Sequence, residues 1–205
     1  MSGVFIFRRA RCSLFPVFLK LDGRRVLVVG GGPVAAGKLP ALLEAGANVT
    51  VVAPAVAGEI AAAPVTIARR AFAPSDLAGV WFVVAAAPPH VNREVARAAH
   101  ARNLFVNAVD DVHSASAYAG AIVRRAGLTI AISTDGAAPA LAGLLREALD
   151  DVLPRDLDAW MDCARETRRA WLEDRVPLQD RRPLLLRALV ALYDARAAIG
   201  REAAS

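Results

Sequence analysis

The sequence predicts an α/β protein built on a Rossmann-type, doubly wound parallel sheet, followed by a small α+β region and a helical C-terminal region. Through the first 110 residues, apolar runs alternate with helix-like segments, which is the rhythm of such a sheet. The runs "RVLVVG" (25–30) and "NVTVVA" (48–53) are rich in β-branched residues and show no polar alternation. Strands with this pattern are buried on both faces of a sheet. A glycine-rich turn directly follows the first strand.

The remaining elements follow in order along the chain. Further strands are predicted at 65–72, 80–87 and 104–109, with a helix at 90–103 between the last two. The helix between the first two strands carries an apolar stripe at Ala35, Leu39, Leu42 and Leu43 and ends at Gly46. Pro40 lies within that stripe and removes a backbone N–H, so a kink is expected there.

The alternation changes after residue 113. Residues 121–134 read as strand, turn and strand, and a helix begins near Pro139, where the missing N–H of proline costs nothing. From Pro154 onward the pattern is helical, with a last helix predicted after Pro183.

Composition indicates a globular chain without a nucleic-acid surface. Of the 205 residues, 56% are hydrophobic and 22% charged, which excludes an intrinsically disordered chain. Six basic residues against one aspartate among residues 1–25 account for the whole net charge of +5, so no basic stripe marks the domain itself. No nucleic-acid partner is therefore expected.

Cysteine content and hydropathy predict a cytoplasmic protein. The two cysteines, Cys12 and Cys163, give no disulfide framework and no metal-ligand spacing. No stretch of about 20 residues is free of charges and turn signals, so no membrane span is predicted. The apolar run at the start is too short for a signal peptide.

The turn Gly30-x-Gly32-x-x-Ala35 has the strand before it and the helix after it that a dinucleotide fingerprint requires. Gly30 permits the tight turn, Gly32 lets a pyrophosphate approach the backbone, and Ala35 allows the helix to pack closely. The helix N-terminus offers N–H groups to phosphates. A purely structural glycine turn, or a ligand that is not a nucleotide, stays open as the alternative.

No acidic residue follows the second strand, where one usually binds the ribose hydroxyl; Ala53 and Pro54 stand there instead. No arginine at that point favours a 2′-phosphate, since Arg69 and Arg70 come a strand later. Backbone atoms near Pro54 and Ala55 remain available for the ribose. The motif by itself leaves NAD and NADP undecided.

Polar side chains cluster after the last strand of the alternating region. Asn107, Asp110 and Asp111 lie where open α/β sheets collect their ligands, and a carboxylate beside a nicotinamide can act as general base. The alternative is that Asp110 only caps the following turn. Among the three scattered histidines, His113 is the one candidate for a functional role, and no permanent metal site is expected.

Three stretches together resemble the precorrin-2 dehydrogenase family, the dehydrogenase and ferrochelatase module of siroheme synthases. They are "FPVFLKLDGRRVLVVGGGPVAAGKLPALLEAGANVTVVAP", "VWFVVAAAPPHVNREVARAAHARNLFVNAVDD" and "GLTIAISTDGAAPALAGLLREALDDVLP". The resemblance covers about residues 14–154 and is specific because three separate blocks agree in order and spacing.

The resemblance implies an enzyme that oxidises precorrin-2 to sirohydrochlorin with NAD, and some members also insert ferrous iron. It implies that Asp110 is catalytic. It places cofactor contacts at Gly30, Gly31, Gly32, Pro33 and Val34 of the first turn, and at Pro54 and Ala55 after the second strand. Members are homodimers.

The resemblance also sets the domain limits. Residues 1–13 precede the usual family start and are interpreted as an extension, 14–113 as the NAD-binding domain, 114–150 as the dimerisation region and 151–205 as the helical region. For the carboxylate-rich substrate we expect contacts from Arg124 and Arg125, and from Asn107 and His113.

Two other functions remain open from the sequence. The chain could be a regulatory protein that binds a nucleotide or tetrapyrrole without turning it over, or an NADP-dependent reductase of another small molecule. The presence of Asp110 favours the enzyme over the regulator, and a comparison of cofactors separates the reductase.

Overall fold

The computed structural model describes residues 14–202, with side chains described through Tyr193. The interpretation of residues 1–13 as an extension falls outside this range. The chain divides into two compact units. The first holds the residues up to Ala119 together with Asp135–Ala137, and the second holds Gly120–Thr134 and the residues from Ala138 onward.

The first unit contains a five-stranded sheet in which every strand pair is parallel. Its strands are β1 (Arg25–Val29), β2 (Asn48–Val52), β3 (Thr66–Ala68), β4 (Phe82–Ala85) and β5 (Phe105–Ala108), in the order β3-β2-β1-β4-β5. The predicted doubly wound sheet is confirmed. The strand order reverses between β1 and β4, and ligands of open α/β sheets bind at such a switch point.

The helices of this unit are α1 (Pro33–Ala36), α2 (Leu39–Glu44), α3 (Gly58–Ala62) and α4 (Pro89–His100), with a 3-10 turn at Pro74–Leu77. Pro40 produces a break rather than a kink, because one helix ends at Ala36 and the next begins at Leu39. Pro40 therefore lies in the first turn of α2, where a backbone N–H would have no hydrogen-bond partner within the helix.

Alternate residues of the strands enter two apolar layers, one on each face of the sheet. Val26, Val28 and Val51 pack on the side of α1 and α2. Leu27, Val29 and Val83 pack on the side of α4. All six are at most 2% exposed, which explains why these strands show no polar alternation in the sequence.

The second unit holds the antiparallel pair β6 (Ala121–Arg125) and β7 (Leu128–Ile132) and the helices α5 (Pro139–Val152), α6 (Leu157–Glu173) and α7 (Leu178–Glu202). The strand pair and the helix beginning at Pro139 agree with the sequence prediction. The last helix begins earlier than expected, at Leu178, so Pro183 lies inside it. Within the part of the chain that the structure describes, no helix is long and apolar enough to cross a membrane.

Candidate functional site

The turn between β1 and α1 is shaped by three glycines with different surroundings. Gly30 has a φ of +127° and lies so close to the Ala86 carbonyl that a Cβ would collide with its oxygen. A Cβ on Gly31 would collide with the Ala55 carbonyl oxygen. A Cβ on Gly32 would have no atom within 4 Å. Two glycines therefore close the turn against its neighbours, and the third faces open space.

We call this turn, Gly30–Val34, the glycine cradle. Ala35 behind it is fully buried, so α1 packs tightly on the sheet, while Pro33 and Val34 are exposed. The first residues of a helix have N–H groups without carbonyl partners four residues earlier. The open space at Gly32 beside these N–H groups suits a pyrophosphate that must approach the backbone closely.

The segment after β2 forms the second wall of the cradle. Pro54 and Ala55 are exposed, and the backbone of Ala55 lies against Gly31. The Ala57 N–H donates a 2.7 Å hydrogen bond to the Gly31 carbonyl oxygen, which fixes this segment to the cradle. The structure thus brings together the two segments to which the sequence analysis assigned cofactor contacts, and only backbone and apolar groups stand where an acidic side chain is usual.

A third wall was missed by the sequence analysis. Ala86 and Ala87 follow β4, the strand on the other side of the switch point, and their backbone lies against Gly30. The Ala86 N–H donates to the Val29 carbonyl oxygen at 2.8 Å, so the segment continues the sheet past the end of both strands. The run of small residues "AAAPP" after this strand was the available signal.

Asp110 lies two residues past β5, at the same carboxyl edge of the sheet as the glycine cradle. Its side chain is exposed and its φ is +58°, a left-handed conformation that aspartate and asparagine tolerate better than most residues. The Val109 N–H before it donates to the Ala85 carbonyl oxygen at 2.9 Å. This bond extends the ladder between β4 and β5 up to the residue that precedes Asp110.

The neighbouring Asp111 caps the turn. Its Oδ1 accepts the Ser114 backbone N–H at 3.0 Å. The pKa of Asp111 lies below its usual value, mainly because its carboxylate accepts a hydrogen bond from the Ser114 side chain. The turn-capping role that the sequence left open for Asp110 is therefore filled by Asp111. Both aspartates lie in a turn rather than in the strand.

The other two candidates near Asp110 differ in exposure. Asn107 is 8% exposed, and its side-chain N–H donates to the Ala117 carbonyl oxygen at 3.0 Å, which ties the following loop to β5. His113 is exposed in the turn after Asp111. The contact seen for Asn107 is with the protein's own backbone, and substrate binding by either residue stays a prediction.

Arg124 and Arg125 lie at the end of β6 in the second unit. Arg124 is exposed, whereas the Arg125 guanidinium is half-buried and donates to the carbonyl oxygens of Leu153 at 2.6 Å and Pro154 at 2.8 Å. It also donates to the carbonyl oxygen of Asp150 at 3.2 Å, at the end of α5. Arg125 thus binds the carbonyls where α5 ends, and its assignment to substrate stays a prediction.

No group of three or more histidine, cysteine or acidic side chains that could hold a metal ion occurs among the described residues. The first unit holds a backbone cradle and a carboxylate at one edge of a parallel sheet.

Two family models match the chain in succession. A model described as NAD(P)-binding matches residues 17–121, about half of the chain. A model for the central part of a sirohaem biosynthesis protein matches residues 125–151. The first match contains the cradle and Asp110, and the second contains β7 and most of α5.

Curated relatives and a solved structure are similar to the chain. Siroheme synthase 3 of Aeromonas hydrophila subsp. hydrophila is 46% identical over 149 residues, 70% of this chain and 32% of that protein. Siroheme synthase 2 of Aeromonas salmonicida is 40% identical over 179 residues, 86% of this chain and 37% of that protein. The chain thus spans about a third of the length of these relatives. The solved structure of SirC, a precorrin-2 dehydrogenase, matches with a TM-score of 0.65 and 29% identity, covering 85% of this chain and 88% of that one.

Proposed function

This chain belongs to the NAD(P)-binding family of sirohaem biosynthesis proteins, and on that premise we propose that it is a precorrin-2 dehydrogenase, which oxidises precorrin-2 to sirohydrochlorin with NAD. One observation carries the proposal: the glycine cradle and the exposed Asp110 carboxylate lie at the same carboxyl edge of one parallel sheet. That edge is where open α/β sheets bind and transform their ligands.

The cofactor is a nicotinamide dinucleotide, and the shape of the cradle suits its pyrophosphate. The backbone of Gly30–Val34 would hold the pyrophosphate, with Gly32 leaving room for its approach. Backbone groups of Pro54 and Ala55 would hold the adenosine ribose. When bound, NAD supplies the acceptor for the hydride that leaves the substrate.

We propose NAD rather than NADP because the chain offers a 2′-phosphate little positive charge. No basic residue follows β2, and Arg70, one of the two arginines after β3, is paired with Asp76 through contacts of 2.8 and 2.5 Å. Calorimetric titration should give a tighter complex with NAD. A tighter NADP complex would contradict the preference for NAD and would suggest that Arg69 binds the 2′-phosphate.

Asp110 is proposed as the general base. Dehydrogenation removes a hydride and a proton from precorrin-2, and the exposed Asp110 carboxylate can accept the proton once the substrate covers this edge. Asp111 caps the following turn, so the Asp110 carboxylate is not needed for that cap. For the carboxylates of precorrin-2 we propose basic side chains as partners, with the exposed Arg124 as one candidate.

The chain is further proposed to form a homodimer through its second unit. Five large apolar side chains of α5 are 37 to 80% exposed: Leu141, Leu144, Leu145, Leu149 and Val152. An apolar face of this extent on one helix is typical of an interface between subunits. Light scattering at micromolar concentration should give twice the mass of the chain, and a monomeric mass would contradict the proposal.

The enzymatic proposal is tested by anaerobic incubation of the protein with NAD and freshly prepared precorrin-2. We expect NADH and sirohydrochlorin to appear together, and both to be lost in the Asp110→Asn variant. Tight binding of the tetrapyrrole without NADH formation would favour the regulatory alternative instead. Ferrous iron added afterwards tests for the ferrochelation that some family members perform, which would consume sirohydrochlorin faster than in a protein-free control.

A further inference from the structure

Asn92 is a buried polar residue of α4 that the site described above does not use. It is 3% exposed and shares the buried face of its helix with Val95, Ala96 and Ala99, all of them apolar. Its side-chain oxygen accepts the Ala87 N–H at 2.9 Å. Its side-chain N–H donates to the Val109 carbonyl oxygen at 3.3 Å. The Ala87 N–H can only donate and the Val109 carbonyl can only accept, so these two partners identify which end of the amide is the oxygen and which is the nitrogen.

One end of this bridge is attached to the glycine cradle. Ala87 directly follows Ala86, whose carbonyl lies against Gly30 and whose N–H bonds the end of β1. The Asn92 side chain therefore takes its position from the segment that forms the third wall of the cradle.

The other end is attached to the peptide before the proposed general base. The Val109 carbonyl belongs to the peptide plane that joins Val109 to Asp110. The Val109 N–H is already bonded to the Ala85 carbonyl oxygen, so Val109 is held on both of its backbone groups. This peptide plane carries the backbone nitrogen of Asp110, so holding it holds the point from which the Asp110 side chain, at a φ of +58°, extends.

We propose that Asn92 is a positioning residue for Asp110. Its amide links the cofactor cradle to the peptide before the carboxylate and thereby holds the Asp110 turn in place relative to the cradle. An apolar side chain would satisfy the packing of α4 equally well, but it would leave the Ala87 N–H and the Val109 carbonyl without this partner. The inference rests on the proposed function, because it gives Asp110 the role of base.

The first test compares Asn92→Ala with Val95→Ala. Val95 is fully buried on the same helix face, so its truncation lowers the melting temperature while leaving both hydrogen bonds of the Asn92 amide in place. We expect Asn92→Ala to lower kcat by roughly ten- to a hundredfold, as misplacement of a catalytic group does. The KM for NAD should change far less. Val95→Ala should leave kcat within about twofold of the unmodified protein. Equal effects of the two variants on kcat would overturn the proposal.

The second test asks whether Asn92 acts through Asp110. In an Asp110→Asn background the Asn92→Ala change should cost less than about a threefold further loss of kcat, because the group that it positions is already gone. A loss as large as in the unmodified protein would mean that Asn92 acts elsewhere. If Asn92→Ala does not fold, Asn92→Ser, which is small and polar, takes its place in both tests with the same expectations.

A readout without turnover separates this inference from the proposed function. Hydrogen exchange of the peptide covering residues 107–116 should be faster in Asn92→Ala than in Val95→Ala at matched stability. If the unmodified protein does not oxidise precorrin-2, the proposed function fails, and this exchange result still decides whether Asn92 holds the Asp110 turn. Unchanged exchange in Asn92→Ala would overturn the positioning role.

Discussion

Replacing Asp110 with asparagine removes the proposed base while preserving the conformation that surrounds it. Asp110 has a φ of +58°, and asparagine is among the residues that tolerate this region best. An alanine there would add backbone strain and confuse the interpretation. The side chain is exposed, and the neighbouring Asp111 caps the turn, so we expect the melting temperature to stay nearly unchanged.

The expected loss of turnover follows from the role of the carboxylate. A positioned general base contributes roughly 10²- to 10⁴-fold in rate, which corresponds to about 2.7 to 5.5 kcal/mol of the activation free energy. The glycine cradle lies on a different strand end, so NAD affinity should stay within about twofold of the unmodified protein, since the backbone contacts that hold the pyrophosphate are unaltered.

The assay is the initial rate of NADH formation with precorrin-2 under anaerobic conditions. Asp111→Asn serves as the matched control, because an asparagine oxygen can still accept the Ser114 N–H and the residue stands one position away in the same turn. We expect this control to keep most of its turnover. Near-normal turnover of Asp110→Asn would refute the assignment of the base. Equal losses in both variants would show that the turn itself, rather than one carboxylate, is required.

Four further variants test the cradle, an ion pair and a helix end. Gly31→Ala should lower both the melting temperature and NAD affinity, because its methyl group collides with the Ala55 carbonyl. Gly32→Ala should lower NAD affinity alone, because its methyl group enters only open space. If titration calorimetry gives this variant the NAD affinity of the unmodified protein, the pyrophosphate does not bind beside Gly32. The pKa of Asp76 is lowered mainly by its hydrogen bond from Arg70, so Asp76→Asn should lower the melting temperature at neutral pH. That difference should shrink as the pH falls below about 4, the ordinary pKa of an aspartate, because the unfolded chain then binds protons more readily than the folded carboxylate does. A difference independent of pH would contradict the ion pair. Arg125→Ala, which removes a donor to three carbonyls, should cost about 1.5 to 3 kcal/mol in denaturant unfolding; an unchanged unfolding midpoint would count against that role.

Local sequence pattern sufficed for the sheet. The five strands are short apolar runs separated by turn signals. In all but the edge strand β3, burial on both faces leaves no polar alternation, so these runs can be recognised from local sequence. The effect of Pro40 was underestimated, because a proline can end one helix and begin the next, and the pattern alone does not distinguish a kink from a break.

The sequence by itself determined the parallel sheet, the glycine turn after its first strand and the presence of a carboxylate at its carboxyl edge, because each of these depends on residues adjacent in the chain. Only the tertiary structure decided that Ala86 and Ala87 wall the cradle, that Arg125 binds the carbonyls at the end of α5, and that Asn92 joins the cradle to the peptide before Asp110. These contacts join residues from 5 to 56 positions apart, from Asn92 with Ala87 to Gly30 with Ala86. Every residue has the same backbone groups, so the sequence does not show which backbone group a residue will contact. The partner can be identified only in the folded protein, where the strands bring both segments to one edge of the sheet.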